Sequence, residues 1–317
     1  MNFPVFDLHC DTALELIDRN KDQSFSLRQN HLHIDLDRAG KLPGYAQCFA
    51  CFTTPEMERW YGVSPRDVFH QEIEAIRRGL EQNGNLISIA LSPDQIMENH
   101  RCGHMSAILT IEGPAGFGYD PAKLEELYKM GFRITTLGWN ESNILTGSHA
   151  TGEGLSDLGR EYIKEAQRLG MIVDVSHISD TAFWQIIEMT TAPVIASHSN
   201  SRSVWDVSRN VTDDMFLALC RTGGLVGINL YADFLGDRAD LNTVCDHIIH
   251  LLHMDPDGAH IALGGDLDGC DRLPDGFHGI QDYPKLADTL LSRNVPEQIV
   301  ERIFWSNALG VFKKCCM

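Results

Sequence analysis

Cationic residues are scarce in this chain: 26 Lys and Arg stand against 44 Asp and Glu, a formal net charge of −18. Nucleic-acid binding needs a basic footprint, so this balance argues against it. The acidity reads as a solvated surface, part of which bound cations can offset. Also missing is any run of about 18 apolar residues, so no membrane span is expected. The N-terminus shows no basic start followed by an apolar stretch and a small-residue cleavage site. The C-terminus shows no apolar tail suited to a lipid anchor, and the expected location is the cytoplasm. Paired cysteine motifs are few. The nine Cys are scattered, which suits reduced thiols better than a disulfide framework. Cys48-x-x-Cys51 lies inside the apolar run GYAQCFACF with no second such motif, and reads as buried strand. Cys315 and Cys316 read as tail thiols. No Pro/Gly/Ser linker or low-complexity segment divides the chain, so residues 1–317 are taken as one domain.

What is present is a rhythm. Eight short apolar runs recur, PVFDLH, YAQCFACF, SAILTIEG, RITTLGW, MIVDVSH, APVIASH, GLVGINL and HIALGGD. Continuous apolar runs of this length suit strands buried on both faces, hence a parallel sheet. The separators read as amphipathic helices. In SPRDVFHQEIEAIRRGLEQNG, Ser64 can cap, Pro65 suits the first turn, and Phe69, Ile73, Ile76 and Leu80 share a face until Gly84. In LSDLGREYIKEAQRLG, Ser156 can cap and Gly170 can stop. Strand and helix alternating eight times predict an α/β fold, a (β/α)8 TIM-type barrel, followed by a helical C-terminal extension (PEQIVERIFWSNALGVFKK).

In such a barrel the active site gathers at the C-terminal ends of the strands. Those ends carry His9 and Asp11, then Glu112, His177, His198 and Asp266. Imidazole and carboxylate are the usual nitrogen and oxygen ligands of Zn2+. Three His with a carboxylate able to bridge suit two metals about 3.5–4 Å apart that activate one hydroxide. Glu112 is the natural bridge, because it lies between the strand-one pair and the two later His. Asp7, on strand one, reads either as a carboxylate orienting a ligand imidazole or as a satisfied loop acid. His31, His33 and Asp35 have metal-like spacing but precede a strand instead of ending one. His247, His250 and His253 recur every third residue in DHIIHLLH and read as the polar side of a helix.

The segments DLHCDT, TIEG, GREYIKEAQRLGMIVDVSHIS, PVIASHSNSRSV, SRNVTDD, GINLY and LGGDLDG follow one another through nearly the whole chain. In that order they resemble the membrane dipeptidase (renal dipeptidase-like, M19) family of binuclear zinc peptidases. The resemblance implies a (β/α)8 barrel holding two Zn2+ per chain, with other divalent ions as alternatives. It implies His9 and Asp11 on the first zinc, Glu112 bridging, and His177 and His198 on the second. Asp266 matches a catalytic acidic residue, Arg209 an arginine that holds the substrate, and Tyr231 a residue near the substrate carboxylate. The implied substrate is a free dipeptide, with a D-residue tolerated at the C-terminal position. Dimerisation is an expectation carried by the resemblance alone.

The chain departs from the family at one place. Where members carry Leu-Thr-His-Asn it has Leu137-Gly138-Trp139-Asn140. The family His contacts the reacting carbonyl, whereas indole offers one N–H and no acceptor. Trp139 can substitute through that N–H, Asn140 or Asn143 can donate instead, or the substrate differs. Losing one oxyanion donor costs about 10²–10³ in rate. Zinc-dependent dipeptide hydrolysis is therefore the leading reading. N-acyl amino acid deacylation, lactone hydrolysis or deamination on the same metals is the alternative, and a non-catalytic metal-binding scaffold is the third.

Overall fold

Residues 3–18 and 26–316 are described by the computed structural model. The apolar runs form parallel strands, each too uniformly apolar to leave a face in water. They are β1 (Val5–Cys10), β2 (Tyr45–Phe52), β3 (Ile87–Ile89), β4 (Met105–Glu112), β5 (Phe132–Thr136), β6 (Ile172–Asp174), β7 (Val194–Ala196), β8 (Leu225–Ile228) and β9 (Ile261–Leu263). Pairing runs β1-β2-β4-β5-β6-β7-β8-β9 and closes where β9 meets β1, giving the predicted eight-stranded barrel with helices between strands. The eight expected runs supply those eight strands. The ninth, β3, was not anticipated: its three residues pair only with the start of β4 and stay outside the closed ring.

The helices begin and end where their caps allow. The helix Pro65–Gln82 starts at Ser64, whose hydroxyl accepts from the Asp67 N–H, although it ends at Asn83, one residue before the expected Gly84. The helix Asp157–Leu169 starts at Ser156 and stops at Gly170, held at φ 82°. The C-terminal extension is helical and closes the barrel from below. Trp305, Leu309 and Phe312 pack among Phe6, Ile108 and Ile195, with the Phe6 ring 5.7 Å from Trp305 and 5.3 Å from Phe312. Cys316, read as a tail thiol, is buried there, its thiol toward the Gly170 carbonyl. Cys48 and Cys51 are both buried in β2, in different apolar clusters.

The histidine triplet in DHIIHLLH needs a larger correction. His247 is fully buried rather than on a polar helix side: its Nδ1 accepts from the Ser201 N–H and its Nε2 donates to the Leu235 carbonyl. It is a neutral structural imidazole that ties two loops to the helix Leu241–Met254.

One buried carboxyl in the helical layer has a measurable consequence. Glu72 lies fully buried against β2; its Oε1 accepts from the Phe52 N–H at 3.1 Å, while Oε2 has no partner. Burial, more than repulsion by Asp11 and Glu112, holds its carboxyl well above the usual range. Unfolded, the group releases its proton at about pH 4; folded, it holds it to higher pH, so stability falls as the pH rises beyond the unfolded value. Glu72→Gln is expected to raise the melting temperature by a few degrees at pH 8 and to change it little at pH 4. Equal shifts at both values would remove the carboxyl as their cause.

Candidate active site

The C-terminal rim of the barrel brings together every strand-end residue singled out above. In β1 the alternation breaks: the pairing with β2 slips by one residue between Asp7 and Cys10. Such a bulge re-aims a side chain. Phe6 and Leu8 face the barrel floor, and His9 nevertheless reaches the same rim as Glu112. Of the two alternatives the sequence left open, Asp7 is the satisfied acid, within the strand instead of a loop. Its Oδ1 accepts the N–H groups of His9 and Gly265, both at 3.0 Å, and its Oδ2 accepts from the Tyr283 hydroxyl. It clamps the backbone of strand one to the turn that carries Asp266.

Glu112 sits at the centre. Its Oε2 lies 3.2 Å from His9 Nε2, and its Oε1 lies 2.9 Å from His177 Nε2 and 3.7 Å from His198 Nε2. Asp11 and Asp266 approach His9 Nε2 at 3.4 and 3.9 Å. All six side chains are buried or nearly so. His177 and Asp266 hold left-handed backbone, at φ 69° and 54°, which costs about 1–3 kcal/mol for each such residue and clusters at functional sites. Gly269 explains the end of GGDLDG, because a Cβ there would collide with the Asp11 and Asp266 carboxylates.

The hydrogen bonds behind the histidines fix their tautomers. His177 Nδ1 faces Asn140 Oδ1 at 2.8 Å, an acceptor only, so the ring proton sits on Nδ1 and the Nε2 lone pair points inward. His198 Nδ1 meets Ser197 Oγ at 2.7 Å, and that hydroxyl donates to Asp174, whose other oxygen takes the N–H groups of Ser176 and Ser197. His198 Nε2 is therefore also a bare acceptor. These two lone pairs face each other across 2.8 Å, and the buried His9 Nε2 has no hydrogen-bond partner.

The electrostatics agree. Burial, then Glu112, pushes Asp11 up to about 6, and burial likewise pushes Asp266 up to about 6, with Asp11 and Glu112 adding to it. Burial opposes charge on His9, yet Glu112 and Asp11 hold its pKa well above the usual imidazole value. Burial, with Arg209 and His9 near, keeps His177 and His198 neutral. Buried carboxylates opposed by inward imidazole lone pairs fit a divalent cation. His9, Glu112 and His198 form one group able to hold an ion, and His9, Asp11 and Asp266 form another.

Around this centre opens a cleft of about 240 Å3, lined by Leu14, Phe52, Trp139, Tyr231 and Phe234 among others. Tyr231 thus lines the cleft. Arg209 is buried beside it: Nη2 donates to His177 Nε2 at 3.1 Å and to the His198 carbonyl at 3.2 Å, while Nε has no partner. Asn140, expected to touch substrate, lines the cleft, and its Oδ1 is held by His177 and by His149 Nε2 at 2.9 Å. Asn143 is consumed in its own loop, donating to the Leu137 carbonyl and accepting from the Leu145 N–H. Gly138 is small because Asn143 Nδ2 occupies the space of a Cβ. Trp139 packs on Phe52 at 5.1 Å and lies 6.1 Å from His177.

Several participants escaped the sequence reading. Asp174 stands visibly in VDVSH but looked like strand. Asn229, which donates to Asp266 Oδ2 at 3.0 Å, had no motif beyond GINLY. His33, set aside as a decoy, exchanges bonds with Asp268: its N–H donates to Oδ1 at 2.6 Å and its Nδ1 accepts the Asp268 N–H at 2.9 Å. It fastens the turn that carries Asp266, although it stands in neither ion-holding group.

Comparison with known proteins gives the same direction. The membrane dipeptidase family, peptidase family M19, matches residues 1–316. The chain belongs to this family. As a member it is a metal-dependent dipeptidase by class. An uncharacterized dipeptidase of Schizosaccharomyces pombe, C965.12, is 32% identical over 300 residues, 89% of this chain and 72% of its own. A second from that yeast, C3A11.10c, is 28% identical over 331 residues, 98% of this chain and 81% of its own. Among solved structures, a metallo peptidase from Rhodobacter sphaeroides, liganded with a phosphinate mimic of the dipeptide L-Ala-D-Ala, superposes with a TM-score of 0.90. At 22% identity, over 99% of this chain and all of that one, it shows that the M19 fold is shared. Among the described residues no helix is long and apolar enough to cross a membrane.

Proposed function

We propose that this chain is a two-zinc dipeptidase of the cytoplasm that cleaves free dipeptides and accepts a D-residue at the C-terminal position. The observation that carries the metal reading is the convergence of three imidazole Nε2 atoms on the two oxygens of Glu112, with one of them buried and unpartnered. His9 and Asp11 would hold one ion, His177 and His198 the other, and Glu112 would touch both. Zinc there would polarise the scissile carbonyl and bring the pKa of a water toward neutrality.

The remaining work falls to side chains. Asn140 orients His177, and Asp174 through Ser197 orients His198, so each presents the correct nitrogen. Asp266 has one oxygen held by Asn229 and the other turned toward His9. It can take a proton from the attacking water and return it to the leaving amine, a general acid–base role. Arg209 offers a buried Nε–H without an acceptor, which a dipeptide carboxylate would satisfy through the planar guanidinium fork. That contact selects free dipeptides over longer chains. Acceptance of a D-residue agrees with the L-Ala-D-Ala mimic held by the Rhodobacter structure. Nine thiols, all free, suit a reducing compartment.

Two results are expected. Chelator-stripped protein given Zn2+ cleaves L-Ala-D-Ala and L-Ala-L-Ala but leaves N-acetyl-D-alanine intact; cleavage of the acyl amino acid alone would overturn the reading. Arg209→Lys, which keeps the charge but loses the fork, raises KM for dipeptides about 10–100-fold, the worth of a charged hydrogen bond. An unchanged KM would free Arg209 from that role.

A further inference from the structure

The cleft has two unlike sides, and this asymmetry carries a statement about substrate choice. On the β8 side, Tyr231 and Phe234 pack edge to face at 4.8 Å, and the Arg209 guanidinium lies 5.4 Å from the Phe234 ring centre. In the ring order of strands, β4 stands four places from β8 in either direction, directly across the barrel. That opposite sector, between the ends of β2 and β5, carries a continuous aromatic wall. Phe52 meets Trp139 at 5.1 Å, Trp139 meets Trp60 edge-on at 5.6 Å, and Trp60 meets Tyr61 at 6.5 Å. Met57 and Val68 back it as a buried apolar cluster. Trp60 and Tyr61 close the helix Met57–Tyr61 and remain 45% and 43% exposed. Trp60 thus extends outward from Trp139, which lines the cleft, and large aromatic surface left open beside a cleft marks a binding surface.

We infer that this wall is the subsite for the side chain of the first residue of the dipeptide, and that the enzyme favours substrates whose first residue is aromatic or large and aliphatic. The inference rests on the dipeptidase reading. A dipeptide with its carboxylate at Arg209 and its scissile carbonyl at the Glu112 centre must direct its first residue away from β7 and β8. It then meets Phe52, Trp139 and Trp60, which offer ring faces and edges. Glu15 and Asp268, carboxylates outside the proposed metal ligands, also line the cleft, so an acidic first residue is disfavoured. Trp139 thus has a task of its own: it joins the wall to the reacting centre.

The test compares kcat/KM for L-Phe, L-Leu, L-Ala and L-Asp followed by either L-Ala or D-Ala, using the zinc-loaded full chain, Trp60→Ala and Trp60→Phe. One methylene in an apolar pocket is worth about tenfold or more, so Phe-first substrates are expected to exceed Ala-first ones by at least about tenfold. That ratio should collapse toward one in Trp60→Ala and return in Trp60→Phe, with all three proteins melting alike. A ratio near or below one in the unaltered chain, or the same ratio in Trp60→Ala, overturns the subsite while dipeptide cleavage itself persists. No cleavage of any dipeptide by zinc-loaded protein overturns the dipeptidase reading and the subsite with it.

Discussion

Glu112→Gln is expected to lower kcat/KM for L-Ala-D-Ala by at least about 10³-fold and to reduce bound metal, with the fold retained. The substitution keeps the shape of the side chain and one acceptor oxygen. It removes the charge and turns the other oxygen into a donor, which would face either His9 Nε2 or the His177 and His198 lone pairs. Neither side tolerates that exchange if both hold cations. A metal clamp contributes several kcal/mol to the transition state, and each 1.36 kcal/mol is tenfold in rate, so a loss of this size follows from disturbing both halves at once. Metal analysis beside steady-state kinetics checks it. Full metal occupancy with unimpaired turnover would show that Glu112 does not join the two groups.

Asp266→Asn is the second large effect, with a different signature. General acid–base catalysis contributes about 10²–10⁴-fold, and a loss of kcat in that range is expected with metal content unchanged. Asparagine is nearly isosteric and still accepts from Asn229 Nδ2, so the turn at φ 54° has no new reason to unfold. What it cannot do is move a proton. Loss of metal together with activity would instead make Asp266 a ligand beside His9 and Asp11. Full activity with full metal would remove it from the mechanism.

The barrel was legible because its strands are buried on both faces, which writes them as uninterrupted apolar runs. β3 was not, because a three-residue strand is too short to show any period. The site was legible as a set of strand-end residues, since a barrel gathers those ends whatever their distance along the chain. The way each one is aimed was hidden. His9 depends on a slip in register, which is a property of two strands and not of one. The tautomers of His177 and His198 depend on Asn140 and Asp174, which looked like a substrate contact and an ordinary strand residue. His247 misled for the opposite reason: a three-residue spacing suggested a polar face, but Ser201 and Leu235, both outside its helix, satisfy its ring in the interior. The departure at Trp139 was readable as a departure. Its partners Phe52 and Trp60 became visible only once the strand ends were placed side by side.

The most direct test of the proposed two-zinc reading is to titrate Zn2+ into chelator-stripped protein while following hydrolysis of L-Ala-D-Ala. The site described here predicts negligible turnover without metal, and activity that returns and saturates at two equivalents per chain. Full hydrolysis by the stripped protein, or two equivalents of zinc taken up with no return of cleavage, would contradict it.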